Sequence, residues 1–461
     1  MLQQLRRAVK PFLGTRSFYL SALGVMIPVA VQQLINNLFN MVDNVMVGSL
    51  DVEGLAMSAC TVANKPYTIF FGVFFGMTGA AGLMISQYYG ANDRKTCQGL
   101  FTLQMTLGLA ASFAFFLALQ LFPRQIMTIF VTDERTIALG MRYLSVICYS
   151  YLPAAVSNVC VFSMRSLGQN RVPMLVSLGT MAMNALCNYA LIFGKLGCPA
   201  LGVEGAAYGT LIARLAEMGV YGFLMLRGRM YFSLSLRAMT ALGRKVVRSF
   251  WGKAVPLIAN EVLWNLGMNV YFWCYARLDE ASIPAVTIAE QCSMFAMVLA
   301  AGASSAVSVM IGTELGANRL AEAKSNCKKL LTLDVCIGLT AALICSLMAV
   351  VVPTIFPLSA ELRQTATGIT LAIALLSPLQ FVYSFCFLCL RAGGDTRSAM
   401  LLDSVYMWVL PVPLAYLMGR FLPGQMPLIT AVLIVQTLMY AKVVPALWTL
   451  KKGKWVRNIT V

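Results

Sequence analysis

The chain has 461 residues, of which 59% are hydrophobic and only 11% are charged, and its mean hydropathy is +0.75. Because soluble domains carry about 25% charged residues, this composition excludes an ordinary soluble protein and indicates an integral membrane protein. The formal net charge is +17, and the chain contains no histidine, the side chain that most often titrates near neutral pH.

Twelve apolar segments are long enough to cross a bilayer as helices, which takes about 20 residues each. The chain has no long stretches of alternating polarity, which argues against a transmembrane barrel. We therefore predict an all-α membrane protein with transmembrane helices near residues 18–48, 55–89, 99–122, 140–163, 172–194, 203–226, 250–276, 282–312, 330–356, 366–390, 398–419 and 427–449.

The positive charge is concentrated in the two ends of the chain and in alternate loops. With the N-terminus placed in the cytoplasm, most of the 35 Lys and Arg residues lie on the inner side, as the positive-inside rule requires. This predicts a multi-pass protein of the cell (cytoplasmic) membrane with both termini cytoplasmic. The charge therefore reports topology, and we expect no nucleic-acid partner. The first span is too long for a removed signal peptide.

Three motifs of the first half recur in the second half at nearly constant spacing. Gly-Ala-Asn at 90–92 recurs at 316–318, RSLGQNRVPML at 165–175 recurs as RAGGDTRSAML at 391–401, and PVAVQQLINN at 28–37 recurs as PLIANEVLWN at 256–265. The first two motifs share one offset, and the offset of the third is almost the same. Each Gly-Ala-Asn is typical of a helix end with glycine at the cap.

The repeat predicts two six-helix lobes. Residues 1–226 form the N-lobe, 227–248 a basic cytoplasmic linker, and 249–461 the C-lobe with a basic cytoplasmic tail. Because both halves start on the inner side, they are parallel repeats related by a pseudo-two-fold axis along the membrane normal. Transporters of this build place a substrate site between the halves and rock the halves about it, so the repeat favours a transporter.

Pro28 and Pro256 occupy matching positions in the first and seventh spans. A proline inside a helix frees a carbonyl and kinks the helix. We interpret these residues as bending points for alternating access, and a static kink is the alternative.

Two carboxylates, Asp43 and Glu261, lie inside apolar spans with no basic residue nearby in sequence. An acid at a helix centre costs about 2.5–3.5 kcal/mol on insertion scales, so it faces a cavity or a partner. In a chain without histidine, a buried carboxylate is the group that can exchange a proton or hold a cation. Both are predicted to couple cation movement; a structural ion pair or an interfacial acid is the alternative.

The residues around Glu261 are the candidates for a cavity in the C-lobe. Asn260, Trp264 and Tyr271 lie on the same span, and Trp264 shares a helix face with Glu261, where it could offer a cation–π wall. Lipid-belt anchoring is the more usual role of Trp and Tyr. Glu290, inside the eighth span, could line the same cavity.

The other charges in the spans are weaker candidates. Arg214 and Glu217 are three residues apart and are expected to pair on one helix face. Asp334 and Asp403 fall near the cytoplasmic ends of their spans, where we expect them to be solvated.

Six motifs in this order resemble the multidrug and toxic compound extrusion (MATE) transporters of bacterial type. They are Met41–Gly48, Gln87–Asn92, Arg165–Met174, Asn184–Gly194, Leu201–Thr210 and Leu390–Met400. The resemblance implies a V-shaped twelve-helix antiporter that exports organic cations in exchange for protons or sodium. It also implies that Asp43 and Glu261 stand where the family carries its essential acids.

The sequence departs from the family pattern in the N-lobe. One branch carries an Asp where Asn188 stands, so the resemblance implies a network of Asp43 with Asn184, Asn188 and Thr210. Lys65 is unusual in the second span; it could pair with Asp43 or receive an anionic group, and the pair is the favoured interpretation.

A further departure concerns the C-lobe. Another branch has a second acid in the tenth span, where this chain has Gln380. Gln380 is therefore expected in the C-lobe cavity in place of that acid, which puts a sodium site of that type in doubt. The lone C-x-x-C of Cys386 and Cys389 has neither a second pair nor a histidine, and we interpret both as packing residues. No metal other than a possible sodium ion is expected.

The leading functional hypothesis is a secondary antiporter of amphipathic organic cations, coupled to protons or sodium, without a cofactor. The expected partners are small organic cations and membrane lipids, and the protein is expected to be monomeric. The alternative is a flippase for lipid-linked saccharides or peptidoglycan precursors, which would need basic residues in its cavity. An enzyme is not expected, since the chain has no H-E-x-x-H motif and no nucleophile elbow.

Overall fold

The computed structural model describes residues 13–50, 55–129, 131, 133–279, 282–355 and 359–460, and within these ranges it contains helices and no strands. The long helices are α1 (Arg16–Gly48), α2 (Leu55–Gly90), α3 (Arg94–Leu121), α4 (Glu134–Ser166), α5 (Arg171–Phe193), α6 (Val203–Leu226), α7 (Arg244–Leu278), α8 (Ile283–Gly316), α9 (Leu320–Ile355), α10 (Ala360–Ala392), α11 (Thr396–Phe421) and α12 (Leu428–Lys451). Each corresponds to one predicted span.

Eleven of these helices, within the described ranges, are long and apolar enough to cross a membrane. The exception is α7, which has 35 residues but carries several basic side chains in its first turns and Glu261 further along. Four long helices are interrupted: α2 at Asn64, α4 by the 3-10 turn Cys148–Ser150, α11 by the π-helical turn Leu401–Val405, and α12 at residues 441–442.

The repeated motifs fold in the same way in both halves of the chain. Asn92 and Asn318 adopt left-handed φ values of 58° and 59°, and Gly168 and Gly394 adopt 74° and 76°. The predicted helix ends are therefore present, but asparagine rather than Gly90 or Gly316 takes the left-handed position. Asparagine tolerates this conformation because its short side chain bonds locally.

Helix starts are fixed by side-chain caps. Asp93 opens α3 by accepting from Thr96 N at 3.0 Å, and Asp395 opens α11 by accepting from Ser398 N at 3.3 Å. Both acids follow the left-handed residue of a repeated motif by one position. The motifs thus end one helix and start the next, which keeps these loops short.

The chain divides into two compact units. The N-unit comprises Val31–Ile85 and Asp93–Arg248, and the C-unit comprises the described parts of Met1–Ala30, Ser86–Asn92 and Ser249–Val461. Pro28 lies in α1 two residues before the division, and Pro256 lies inside α7. The predicted lobe and linker boundaries remain predictions, as does the bending role of the two prolines.

The C-unit is held together by close contacts at helix ends. A Cβ atom on Gly90 would overlap the carbonyl oxygen of Thr313, and one on Gly316 would overlap that of Gln87. The two glycines of the repeated motif therefore serve close packing of the end of α2 against the end of α8. Further along, Ala22 of α1 packs in one core cluster with Val307 of α8.

The tail after α12 fastens three loops of the C-unit. Arg457 donates from Nε and Nη2 to the carbonyl oxygens of Gly393 and Gly394, both at 3.1 Å. Asn458 Nδ2 donates to Gly316 O at 3.3 Å, and the backbone N–H of Ile459 donates to Gln87 Oε1 at 2.9 Å. Beside them Trp455 is only 3% exposed. The tail is therefore an integral part of the C-unit.

Candidate functional site

A polar cavity of about 320 Å³ lies within the N-unit, between α1, α2, α4, α5 and α6. Asp43 and Asn184 line it, with Tyr67 and Phe162 among its aromatic residues. It also contains Arg165, Arg214 and Glu217, so its charged side chains sum to zero. A cavity of this size with a few convergent polar groups is the usual form of a small-molecule site.

Asp43 is bound by amides of α5. Asn188 Nδ2 donates to Asp43 Oδ1 at 2.8 Å. Asn184 Nδ2 lies 3.4 Å from Thr210 Oγ1 in one amide orientation. In the flipped orientation the Asn184 amide donates to both Asp43 oxygens at 3.2 and 3.1 Å, while its oxygen accepts from Thr210 N at 3.3 Å. The four residues expected to form the N-lobe network are thus adjacent.

Glycines of α6 allow this network to form. A Cβ on Gly209 would overlap Asn188 Oδ1, and one on Gly205 would lie 2.5 Å from the carbonyl oxygen of Leu191. The helices α5 and α6 can approach closely only because these positions lack side chains. The stretch Leu201–Thr210, which resembles a family motif, therefore positions the amide that holds Asp43.

Lys65 lies outside this network. It begins the second segment of α2, its side chain is exposed, and it is not among the residues that line the cavity. Among the described residues, no ion pair joins Lys65 to Asp43, so the expected pair is not formed in this structure.

The basic residues of the cavity come from α4 and α6. Arg165 Nη2 donates to Gln32 Oε1 at 2.7 Å, and its guanidinium lies 5.7 Å from the centre of the Phe162 ring. Arg214 Nη1 pairs with Glu217 Oε2 at 2.9 Å, which confirms the expected pair. The sequence did not predict that Arg165 lines a cavity, because its motif is typical of a loop that ends a membrane helix.

In the C-unit, Glu261 has a basic partner that its own segment does not reveal. Arg391, at the end of α10, places Nη1 at 3.8 Å from Glu261 Oε1, and the side chains are 11% and 17% exposed respectively. Glu261 has no basic residue near it in the sequence, but the fold brings Arg391 next to it. Its predicted coupling role remains a prediction, with a structural ion pair as a strong alternative.

A second buried ion pair lies next to Glu261. Lys442 Nζ is 2.7 Å from Asp403 Oδ1, and Asn260 Nδ2 donates to Asp403 Oδ2 at 3.0 Å. Ser404 Oγ donates to Asn260 Oδ1 at 2.8 Å. Asp403 lies in the π-helical turn of α11, a feature often found at functional sites. The expectation that Asp403 is solvated was wrong, since Lys442 and Asn260 enclose it.

The same correction applies to Asp334, which is 4% exposed inside α9. Its position near a helix end suggested solvent, but α9 begins at Leu320, ten residues before the predicted span. Asp334 therefore lies well inside the helix.

The two halves repeat these contacts. Gln32 Nε2 donates to Ser177 Oγ at 2.5 Å in the N-unit, and Asn260 and Asp403, at the repeat-related positions, make the equivalent contact in the C-unit. The arginine of the repeated loop likewise binds the first helix of its own half, as the Arg165 and Arg391 contacts above describe. The chemistry of the contacts differs between the halves. Each contact in the second half includes a carboxylate, whereas the corresponding contact in the first half has a neutral side chain instead.

The remaining residues predicted for the C-lobe cavity are spread over the C-unit. Trp264 is half-buried and packs against the cluster that contains Tyr271, which is 2% exposed. Glu290 is exposed on α8. Gln380 is half-buried, with Nε2 at 3.5 Å from Met297 Sδ.

Comparison with known proteins identifies the family of this chain. The MatE family model matches residues 28–190 and 256–417. The chain belongs to the MatE family. The two matches begin at Pro28 and Pro256, the positions related by the internal repeat. The expected MATE membership is therefore confirmed.

Relatives in sequence are distant but extend over most of the chain. The protein named "Probable multidrug resistance protein NorM" from Halalkalibacterium halodurans is 24% identical over 420 residues, covering 87% of each chain. The "Uncharacterized transporter YisQ" of Bacillus subtilis is 21% identical over 369 residues, covering 79% of this chain and 80% of its own. These MATE relatives are transporters rather than enzymes.

Solved structures show the same fold. A MOP superfamily transporter from Pyrococcus furiosus superposes with a TM-score of 0.85 at 15% identity, covering 97% of this chain and 98% of that chain. A MATE transporter from Vibrio cholerae gives 0.84 at 17% identity, covering 95% and 98%. The predicted all-α membrane fold of twelve helices in two six-helix lobes is confirmed.

Proposed function

We propose that this MATE transporter is a secondary antiporter that exports amphipathic organic cations in exchange for protons or sodium by alternating access. In this proposal it lies in the cell membrane with both termini cytoplasmic. One observation carries the proposal: Asp43 lies in a polar cavity, and its bonded partners among the described residues are neutral amides, that of Asn188 and, in its flipped orientation, that of Asn184.

A carboxylate without a basic partner at this depth has two stable states. It either binds a proton or holds a cation, since an uncompensated buried charge is costly. A proton or sodium ion and an organic cation then compete for one site. Such competition couples export to the ion gradient. In each conformational change the site carries either the proton or sodium ion or the organic cation, but never both.

Glu261 is assigned a secondary role in this proposal. Arg391 already compensates its charge at 3.8 Å, so a cation gains less there than at Asp43. Gln380 stands where a second acid would strengthen a sodium site in the C-unit. We therefore propose that coupling depends first on Asp43.

The relatives support export of drug-like molecules. Several are named as probable multidrug resistance proteins, and two from Pseudomonas species are 24% and 23% identical to this chain over 409 and 410 residues. The aromatic residues of the cavity, among them Tyr67, Phe71 and Phe162, suit planar apolar groups and attract cations.

A flippase of lipid-linked saccharides is the second candidate, because Arg165 and Arg214 line the cavity. Basic residues in the cavity are what that function requires. Glu217 pairs with Arg214, however, and the charges of Asp43 and Arg165 cancel in the sum without forming an ion pair, so the cavity has no net positive charge. The structural neighbour from Pyrococcus furiosus is described as having reversed pocket polarity that suggests a different function, which keeps this candidate open.

The test is efflux of a fluorescent organic cation from proteoliposomes under separately imposed proton and sodium gradients. The wild type should respond to one gradient, and Asp43→Asn should abolish the response. Glu204→Gln is the matched control, since Glu204 is an acid of α6 that pairs with Arg142 outside the cavity. Gradient-driven efflux that survives in Asp43→Asn would contradict the proposal; absence of cation efflux in the wild type would favour the flippase.

A further inference from the structure

Arg165 is a cation of the cavity that no acid balances. Among the described residues, no carboxylate lies within ion-pair distance of its guanidinium, whereas its repeat counterpart Arg391 has Glu261. Its contacts are the amide oxygen of Gln32 and the face of Phe162. The Nε atom of Arg165 is buried and has no hydrogen-bond partner in the described chain. A buried donor left unpaired is costly and calls for an explanation.

A second unpaired donor lies beside it in the cavity lining. Asn158 Nδ2 is also buried without a partner among the described residues, and Asn158 precedes Arg165 by seven residues on α4. Residues seven apart are two turns apart on the same helix face. Both residues therefore belong to one wall of the cavity. The two donor atoms are covered in this structure, and a rotation of either side chain toward the cavity would let an anionic group accept from its donor.

The opposite charge of the cavity lies at a distance along α1. Gln32, which binds Arg165, precedes Asp43 by 11 residues, so these two positions of α1 are about 16 Å apart along the helix axis at 1.5 Å per residue. Gln33, Asn36 and Phe39 lie between them and line the same cavity. The pair of Arg214 and Glu217 neutralises itself, which leaves Asp43 and Arg165 as the two uncompensated charges of the described lining.

We propose that Arg165 and Asn158 form an anion subsite, which binds a carboxylate or phosphate group of the transported molecule. This inference rests on the proposed export function: the cationic group of the same molecule occupies the site of Asp43, and the two groups are held at opposite ends of the cavity. The anion could also come from the solution as a small inorganic ion that accompanies a simple cation. The structure favours the substrate's own group, since a single elongated molecule would meet both charges.

The test uses one amine scaffold in two forms, a carboxylic acid and its methyl ester. Binding to the purified protein and efflux from proteoliposomes are measured for both. The wild type should bind the acid at least tenfold more tightly than the ester. Arg165→Gln should reduce the affinity for the acid to that of the ester and leave the ester unchanged. Arg142→Gln, which alters an exposed arginine outside the cavity, should keep the wild-type preference.

Asn158→Ala guards against a folding defect in the arginine variant, and it should reduce the preference severalfold by itself. Equal affinities of the wild type for acid and ester would overturn the subsite. So would an Arg165→Gln variant that folds and loses affinity for both forms alike, because a structural role has that effect. Loss of ester binding when chloride is replaced by gluconate would assign the site to an inorganic anion and overturn the substrate assignment.

Binding and efflux separate this inference from the proposed function. If the protein binds the acid more tightly than the ester but shows no efflux under either gradient, the anion subsite is supported and the proposed export function is contradicted. Efflux of both forms without any preference would keep the exporter and reject the subsite.

Discussion

Replacement of Lys442 by methionine should destabilise the protein by about 3–5 kcal/mol, because it leaves the buried carboxylate of Asp403 without its counter-charge. Lys442 Nζ lies 2.7 Å from Asp403 Oδ1, and the two side chains are 2% and 11% exposed. Methionine retains most of the apolar stem of lysine, so the loss of charge rather than a large cavity dominates the cost.

The remaining partners of Asp403 determine how much stability the Lys442→Met variant loses within this range of about 3–5 kcal/mol. Asn260 still donates to Asp403 Oδ2 at 3.0 Å after the substitution, and a hydrogen bond to a charged group contributes about 1.5–3 kcal/mol. Protonation of the carboxyl group would also relieve part of the penalty. We therefore expect a cost at the lower end of the range. The double variant Lys442→Met with Asp403→Leu should recover most of the loss, since it removes both charges.

The assay is thermal and denaturant unfolding of the detergent-purified protein. Lys324→Met, at an exposed position of α9, is the matched control and should change stability little. A Lys442→Met variant as stable as the wild type would refute the burial of this pair. A double variant less stable than Lys442→Met would refute the electrostatic origin of the cost.

Three further predictions concern other contacts of the structure. Arg391→Met should cost about 3–5 kcal/mol by leaving Glu261 without its counter-charge, and Glu261→Gln in the same chain should restore most of it in unfolding assays. Gly209→Ala should displace Asn188 from Asp43 and slow cation efflux at least tenfold, whereas Gly219→Ala, where a Cβ meets nothing within 4 Å, should leave efflux unchanged. Trp455→Ala should cost about 3–5 kcal/mol and expose the tail to protease, with Trp455→Phe intermediate; an unchanged cleavage rate would show that the tail does not depend on this side chain.

The fold could be read from the sequence because its determinants are local. Apolar length sets each membrane helix, and the repeat sets the number of helices in each half. The neighbours of Asp43 were suggested by the family resemblance, in which one branch carries an Asp where Asn188 stands; Asn184 and Thr210 were expected in the same network. The contacts of Gly209 that hold this network were not predicted, because a glycine shows nothing in sequence about what approaches it.

The partners of the other charges could not be predicted because they come from different helices. Arg391 ends α10 whereas Glu261 lies in α7, and Lys442 lies between the two segments of α12 whereas Asp403 lies in α11. One indication was available in the repeat: Lys442 follows Arg214 at the same offset that separates Pro256 from Pro28, so a basic residue recurs at the same place in both halves. The unpaired donors of Arg165 and Asn158 could not be predicted, because only the structure shows that no acceptor among the described residues bonds to them.

Release of the coupling ion on substrate binding tests the central claim most directly. Purified wild-type protein in weak buffer should release about one proton, or one sodium ion, for each organic cation bound. Asp43→Asn lacks the carboxylate for which both ions compete, so it should bind the organic cation much more weakly and release neither ion. Release of the same amount by Asp43→Asn would contradict the account, since the exchange would then occur at another group.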